Sequence, residues 1–309
     1  MKLISIVTPC YNEEENVEEL YQQVKNVFNG LKDYTYEHIF IDNASTDKTL
    51  EILKRIANQD KNVKIIVNSR NFGHLRSPFY AMLQAKGDAV IPLSADLQDP
   101  PSLIPEFIKK WEEGFKIVVA IKKESQESRI MFSVRKLYYN LISKLSEVEL
   151  IKNFSGFGLY DRKIIEILRN LNDPYPYFRG LIAEIGFEKA IIEYVQPKRK
   201  KGKTKNNFYT LYDTAMLGLT SYSKVPLRLA TLCGFIMSIV SLLVALGYFI
   251  YKILFWQRFS LGIAPLIIGL FFFSSLQLFF LGLLGEYIGA IYTQVLNRPL
   301  VIEKERINF

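Results

Sequence analysis

Apolar residues in the N-terminal part of the chain alternate between two periods. Residues 3–8 form a short β-branched run ending at Pro9, which predicts a buried strand. Val17, Leu20, Tyr21, Val24, Val27 and Phe28 then recur at helical spacing and stop at Gly30, so a helix is expected over 12–28. The same alternation predicts strands over 37–41, 63–67, 89–93 and 117–121. Between them it predicts helices from Ser45/Thr46 to Ile56, over 75–85 and over 103–113, with another over 131–145. Strand and helix in strict turn point to an α/β fold, a mostly parallel sheet covered on both faces. Ligands of such sheets bind beyond the carboxyl ends of the strands.

The pattern changes completely near the C-terminus. Residues 229–251 form a 23-residue run without a charge, and a second uncharged run extends from Phe259 to Gly285. A bilayer core of about 30 Å needs roughly 20 helical residues, so each run is long enough to span. Gly262, Gly269, Gly282 and Gly285 in the second run suit close helix packing in lipid, and self-association through that face is expected. Two spans leave both ends of the chain on one side. Lys198, Arg199, Lys200, Lys201, Lys203, Lys205, Lys224 and Arg228 precede the first span, and Arg298, Lys304 and Arg306 follow the second. The connection between the spans carries only Lys252 and Arg258. Positive charge favours the cytoplasmic side, so the large N-terminal region and both termini are expected there, at the inner membrane. Residues 1–9 read as a strand too brief for the apolar core of a signal peptide.

Composition narrows the chemistry. Of 309 residues 49% are hydrophobic and 23% charged, which excludes a disordered or fibrous chain. Two Cys exclude a disulfide scaffold and two His exclude a multi-His metal centre. The formal charge of +8 fits nucleic acid, an anionic membrane surface or a phosphorylated substrate. Nucleic acid leaves the two apolar runs unexplained, which removes it.

Three loops at the expected carboxyl edge carry the informative residues. The first is Thr8-Pro9-Cys10-Tyr11-Asn12-Glu13-Glu14, whose acidic residues also suit a helix N-terminus. The second runs from Asp42 to Thr49 and reads equally well as an Asx-type cap. The third is Ser94-Ala95-Asp96-Leu97-Gln98-Asp99-Pro100-Pro101. There a carboxylate and an amide oxygen two residues apart could hold a hard divalent cation against a diphosphate.

These loops, together with Ser69-Arg70-Asn71-Phe72-Gly73, Asp161-Arg162-Lys163, Phe178-Arg179-Gly180-Leu181, Gly202-Lys203-Thr204-Lys205 and Leu284-Gly285-Glu286-Tyr287-Ile288-Gly289, carry a resemblance. The chain resembles the family 2 glycosyltransferases of GT-A fold, and more narrowly the polyprenyl-phosphate glycosyltransferases. That group contains the dolichyl-phosphate mannose synthases and the bacterial undecaprenyl-phosphate sugar transferases. The resemblance implies a GT-A domain over 1–205, a juxtamembrane amphipathic segment over 206–228, spans at 229–251 and 260–285, and a tail over 286–309. It implies transfer of one sugar, with inversion, from a nucleotide-diphosphate sugar, UDP-linked by likeness to bacterial members. The acceptor would be an undecaprenyl or dolichyl phosphate in the bilayer. Pro9, Tyr11, Glu13 and Asp42 would line base and ribose, with Asp47 also among the substrate contacts. Asp96 and Gln98 would meet Mg²⁺ or Mn²⁺, making Asp96 catalytic. Arg135, on the helix over 131–145, would meet the acceptor phosphate as a catalytic and binding residue. Arg199 and Lys205 would act at the membrane edge, where Arg grips phosphate oxygens bidentately.

Two positions depart from that group. Ser94 stands where most relatives have Asp, and Gly156 where many have a second carboxylate discussed as a base. A phosphate monoester is already ionised near neutral pH, so it needs positioning more than deprotonation. Asp161 is a nearby acid whose position also suits a helix N-cap before Arg162. A non-catalytic nucleotide-sugar and lipid-binding subunit is the alternative the two losses raise. A processive polysaccharide synthase is another, but the chain lacks the Gln-x-x-Arg-Trp motif and the further spans expected of it.

Overall fold

The structure is a computed structural model, and it describes residues 1–123, 151, 153–197, 208–255 and 263–309. Arg135, Arg199, Lys205, the helix expected over 131–145 and the whole basic run over 198–205 lie outside the described residues.

Eight strands form one sheet in the order β7-β5-β6-β4-β1-β2-β3-β8. They are β1 Lys2–Cys10, β2 Tyr34–Asp42, β3 Val63–Asn68, β4 Ala89–Pro92, β5 Ile117–Lys122, β6 Phe154–Asp161, β7 Lys189–Tyr194 and β8 Glu303–Ile307. The pairs β1–β2, β1–β4, β2–β3 and β5–β7 are parallel. β6 is antiparallel to β4 and β5, and β8 is antiparallel to β3. The strands are continuous apolar runs because helices cover both faces of the sheet. On one face lie α1 Val17–Asn29, α2 Thr49–Gln59 and α4 Ile104–Glu112, which enclose Ile4, Ile6, Phe40, Ile65 and Ile91. On the other lie α3 Gly73–Gln84, α5 Arg162–Leu171 and α6 Phe178–Glu184, over Val7, Ile39, Ile41, Ile66 and Val119. α1 buries Val17, Leu20, Tyr21, Val24 and Phe28, one stripe at helical spacing. Each such aliphatic or aromatic side chain contributes roughly 1.5–3 kcal/mol.

Three strands, β6, β7 and β8, lie outside the five that the pattern predicts, and the helix starts also differ. α1 begins at Val17 rather than residue 12, because Asn12 has φ +53° and cannot sit in a right-handed helix. α2 begins at Thr49 rather than 45, for Ala44 has φ +62° and the residues between serve the loop.

After β7 the described chain continues as α7 Phe208–Tyr222, then α8 Val225–Leu254 and α9 Ile263–Leu296. Windows Val225–Tyr251 and Gly269–Leu296 are long and apolar enough to cross a membrane, and neither is buried in the protein. These two helices indicate membrane association. They run past the expected limits of 229–251 and 260–285, because apolar side chains continue along one face beyond Glu286. The segment 286–309 is no free tail. Its first turns extend α9, and β8 returns into the sheet beside β3. Both chain ends therefore belong to one sheet, which requires α8 and α9 to form a hairpin. Among the described residues a Cβ at Gly269, Gly282 or Gly285 would meet nothing within 4 Å, so these glycines make no close contact between the two helices, and Gly262 lies outside the described residues. The tight contact lies instead where the hairpin meets the domain. A Cβ on Gly180 would come within 2.3 Å of the Tyr222 ring, and Tyr287 Oη donates to Ser223 O at 2.6 Å.

Candidate functional site

The three loops leave neighbouring strands at the same sheet edge, since Cys10 and Asp42 are register partners and β4 lies on the other side of β1. Each contains a non-glycine residue in the left-handed region: Asn12 at φ +53°, Ala44 at +62° and Leu97 at +60°. That conformation costs an L-residue roughly 1–2 kcal/mol, and it persists only where surrounding contacts enforce it.

Those contacts are visible for the first two loops, which hold each other reciprocally. Asn12 N–H donates to Ser45 Oγ at 3.0 Å, and Thr46 N–H returns a bond to Asn12 Oδ1 at 2.7 Å. Glu13 N–H donates to Thr49 Oγ1 at 2.8 Å, and Glu14 N–H to Asp47 Oδ2 at 3.2 Å. Lys48 N–H donates to Glu14 Oε2 at 2.9 Å.

Two aspartates of the second loop are driven in opposite directions. Burial would raise Asp47, but Thr49 Oγ1 and N–H together with Glu14 N–H outweigh it and hold the carboxyl below its ordinary range. Asp47 therefore has both oxygens engaged in the scaffold. Asp42 is fully buried, and burial raises its pKa against the bonds from Ser45. Its Oδ2 accepts from Ser45 N–H at 3.2 Å, while Oδ1 is buried without a partner. A buried acceptor left unpaired is costly, so a ligand N–H or O–H arriving there is favoured. Pro9 and Tyr11 flank this position, both half-buried, and Glu13 Oε2 accepts from Asn16 Nδ2 at 2.7 Å.

In the third loop the turn at Leu97 separates Asp96 from Gln98, whose N–H donates to Asp96 Oδ1 at 3.2 Å. Ser94 takes a structural part. Its hydroxyl donates to Asp99 Oδ2 at 2.5 Å, and Tyr194 Oη donates to Asp99 Oδ1 at 2.9 Å. An aspartate at 94 would set two carboxylates against each other at this buried point. Among the described residues no three His, Cys, Asp or Glu side chains gather as a ligand cage. One carboxylate and one amide oxygen do not make a cage of their own. They do fit an ion such as Mg²⁺, which keeps waters and takes phosphate oxygens from a substrate.

A fourth loop, after β3, was matched as a motif but given no role by sequence reasoning. Asn43 joins it to the site: its Oδ1 accepts from Phe72 N–H at 2.9 Å and from Asn68 Nδ2 at 3.0 Å. Its Nδ2 donates to Asn71 Oδ1 at 2.9 Å and to Gly73 O at 3.2 Å. The available signal was two Asn residues directly at strand ends, where a polar side chain must find partners in the core.

Gly156 has φ +104°, and a Cβ there would lie 3.4 Å from Phe178. The backbone is shaped for glycine, so no side-chain acid belongs at that position. Asp161 does not replace it. It caps α5 through Lys163 N–H at 3.0 Å, and it pairs in register with Ala89, at the start of β4 and the opposite sheet edge.

The model of the family described as Glycosyl transferase family 2 matches residues 5–168. An uncharacterized glycosyltransferase of Bacillus subtilis, YkcC, is 38% identical over 96% of this chain and 92% of its own length. An SfII prophage-derived bactoprenol glucosyl transferase of Shigella flexneri is 35% identical over 98% of this chain and 97% of its own. Among solved structures, glucosyl-3-phosphoglycerate synthase from Mycobacterium tuberculosis in complex with Mn²⁺, UDP and phosphoglyceric acid aligns with a TM-score of 0.49 at 20% identity, over 71% of this chain and 76% of that one.

Proposed function

The chain belongs to glycosyl transferase family 2, and from that premise we propose that it moves a single sugar from a nucleotide-diphosphate donor, UDP-linked, to a polyprenyl phosphate at the cytoplasmic membrane face. The observation that carries this reading is the extent of the likeness to bactoprenol glucosyl transferases. At 34–35% identity over 97–98% of this chain, it includes the apolar hairpin as well as the catalytic domain. A hairpin whose two ends return to one sheet suits an enzyme that meets a lipid acceptor beside the bilayer.

In this reading the free Oδ1 of Asp42 accepts a hydrogen bond from the base or ribose, with Pro9, Tyr11 and Glu13 around it. The interlocked first two loops keep that acceptor fixed before the donor arrives, which reduces the ordering cost of binding. Asp96 and Gln98 would hold Mg²⁺ or Mn²⁺, whose positive charge stabilises the departing nucleoside diphosphate. The strained turn at Leu97 brings the Gln98 N–H onto Asp96 Oδ1, which fixes that carboxylate. A phosphate oxygen of the acceptor attacks the anomeric carbon as the bond to the diphosphate breaks, so the configuration inverts. No base is required, since the phosphate monoester is already ionised. This agrees with Gly156, and it leaves Ser94 free to brace Asp99. Arg135, Arg199 and Lys205 would steer and hold the acceptor phosphate.

The test uses full-length protein in detergent with Mg²⁺ or Mn²⁺, a short-chain polyprenyl phosphate and a panel of nucleotide sugars. Glycosyl-phosphoprenol from one donor is expected by mass spectrometry, with the opposite anomeric configuration by NMR. Asp96→Ala, or chelation of the metal, should reduce kcat/KM by at least about a hundredfold. Donor binding without product from any donor would overturn the reading in favour of a non-catalytic binding subunit.

A further inference from the structure

Three arginines meet where the catalytic domain rests on the end of α9. The guanidinium of Arg70 lies 4.0 Å from the centroid of the Phe72 ring, and that of Arg76 lies 5.7 Å from the same ring. Two cations thus lie against one aromatic ring. Arg76 also donates through Nη2 to Pro299 O, in the segment that leads from α9 to β8, while its Nε is buried without a partner. Arg298 precedes that proline. Burial and the nearby charges of Arg70 and Arg298 all disfavour the charge on Arg76. Among the described residues none of the three forms an ion pair. The nearby carboxylate of Asp173 is engaged by Gln294 Nε2 at 2.9 Å and by Tyr175 N–H. Like charges drawn together without a counterion lack a bound anion.

The apolar surface of α9 points to where that anion comes from. Leu281, Leu284, Ile288, Ile291 and Val295 are all exposed, and their spacing of three and four residues puts them on one helical face. The stripe continues unbroken past Glu286 and finishes one residue before the end of α9. Arg298 follows two residues after that end. An apolar stripe facing lipid that gives way to clustered arginines is the pattern of a helix leaving the acyl region for the head groups.

We propose that Arg70, Arg76 and Arg298 form a site for the phosphate of an anionic phospholipid head group, which seats the catalytic domain on the bilayer at the end of α9. The inference rests on α8 and α9 entering a membrane and not on the sugar-transfer reaction, so it stands or falls separately. Because Phe72 N–H is held by Asn43, next to Asp42, an occupied head-group site also braces the donor side of the sheet.

Full-length protein in a neutral detergent would be titrated with phosphatidylglycerol, phosphatidylcholine and inorganic phosphate, with bound lipid read by native mass spectrometry. Arg70→Gln/Arg298→Gln leaves the Arg76 bond to Pro299 in place and should weaken phosphatidylglycerol binding about thirtyfold. Arg76→Lys, which keeps one charge but loses the planar fork, should weaken it less. Phosphatidylcholine should bind poorly to both forms. Unchanged phosphatidylglycerol affinity in the double variant would overturn the proposal, as would equal binding of the two lipids. Inorganic phosphate binding as tightly as the lipid would make this a soluble-anion site instead. Displacement of the lipid by UDP or by a short polyprenyl phosphate would assign the arginines to donor or acceptor, and would overturn it too.

Discussion

The two edges of the central sheet hold similar residues and use them differently. At the starting edge of β1 and β4, Lys2, Asp88, Trp111, Glu112, Gly114, Lys116, Asp161 and Arg162 line a cavity of about 440 Å³. At the finishing edge lie Asp42, Asp96 and three strained turns. The cavity invites a ligand by shape, yet its central carboxylate is already served. Asp161 accepts from Trp111 Nε1 at 2.7 Å, Lys116 Nζ at 2.9 Å and Lys163 N–H at 3.0 Å. Burial would raise its pKa, but these donors outweigh burial and keep it low. Asp42 is the reverse case, raised by burial and left with an unpaired oxygen. An unsatisfied group held by strained backbone marks a binding edge better than a hollow does.

That contrast can be broken by mutation. The largest effect is expected from Asp161→Ala, which removes three donors' partner and the α5 cap. It should lower stability by about 2–4 kcal/mol, measured by thermal or denaturant unfolding, while calorimetry finds donor affinity in the folded protein unchanged. A parallel loss of donor affinity would mean the two edges are not separate. Asp42→Asn should do the opposite. Donor affinity should weaken roughly 10- to 100-fold with no loss of stability, because the variant removes a buried charge that lacked a full set of partners.

A third prediction concerns a titration that belongs to neither edge. His38 is fully buried in β2, with its ring 3.9 Å from that of Phe40, and burial pushes its pKa down to about 3. A His with a depressed folded-state pKa stays neutral in the fold while the unfolded chain takes up a proton. Stability therefore falls as pH drops from about 6.5 toward 3, by roughly 2 kcal/mol between pH 7 and pH 5. His38→Gln should flatten that slope in unfolding experiments, so donor measurements comparing the edges belong above pH 7. The smallest effect is expected at Gly156. Asp there should cost about 1–2 kcal/mol through its left-handed backbone and leave kcat unimproved. A faster Gly156→Asp enzyme would show that a base is useful after all.

Periodicity alone made the α/β order legible, because burial on both faces demands continuous apolar strands and striped helices. The strands over 63–67 and 89–93 match β3 and β4 to within one residue at each end. The amphipathic segment expected over 206–228 contains α7 Phe208–Tyr222 and also the first turn of α8, which begins at Val225. That the loops carrying Asp42, Asp96 and Gln98 leave one sheet edge was legible too, since each follows a strand of the parallel set. Helix starts were not legible, because positive φ at Asn12 and Ala44 is enforced by bonds between loops more than 30 residues apart. Such bonds leave no local trace in the sequence.

The chain's own order of residues thus determined β1 to β5, the helices between β1 and β5, and which segments are apolar enough for a membrane, whereas β6, β7 and β8 were not read from it. Local spacing and solvent transfer set what was read. Only the tertiary structure decided which aspartate keeps a free oxygen, that Ser94 braces Asp99, and that residues 303–307 close the sheet beside β3 rather than trailing as a tail. Each of these depends on partners distant in sequence, and hydrogen-bond satisfaction between them is settled only when the elements pack.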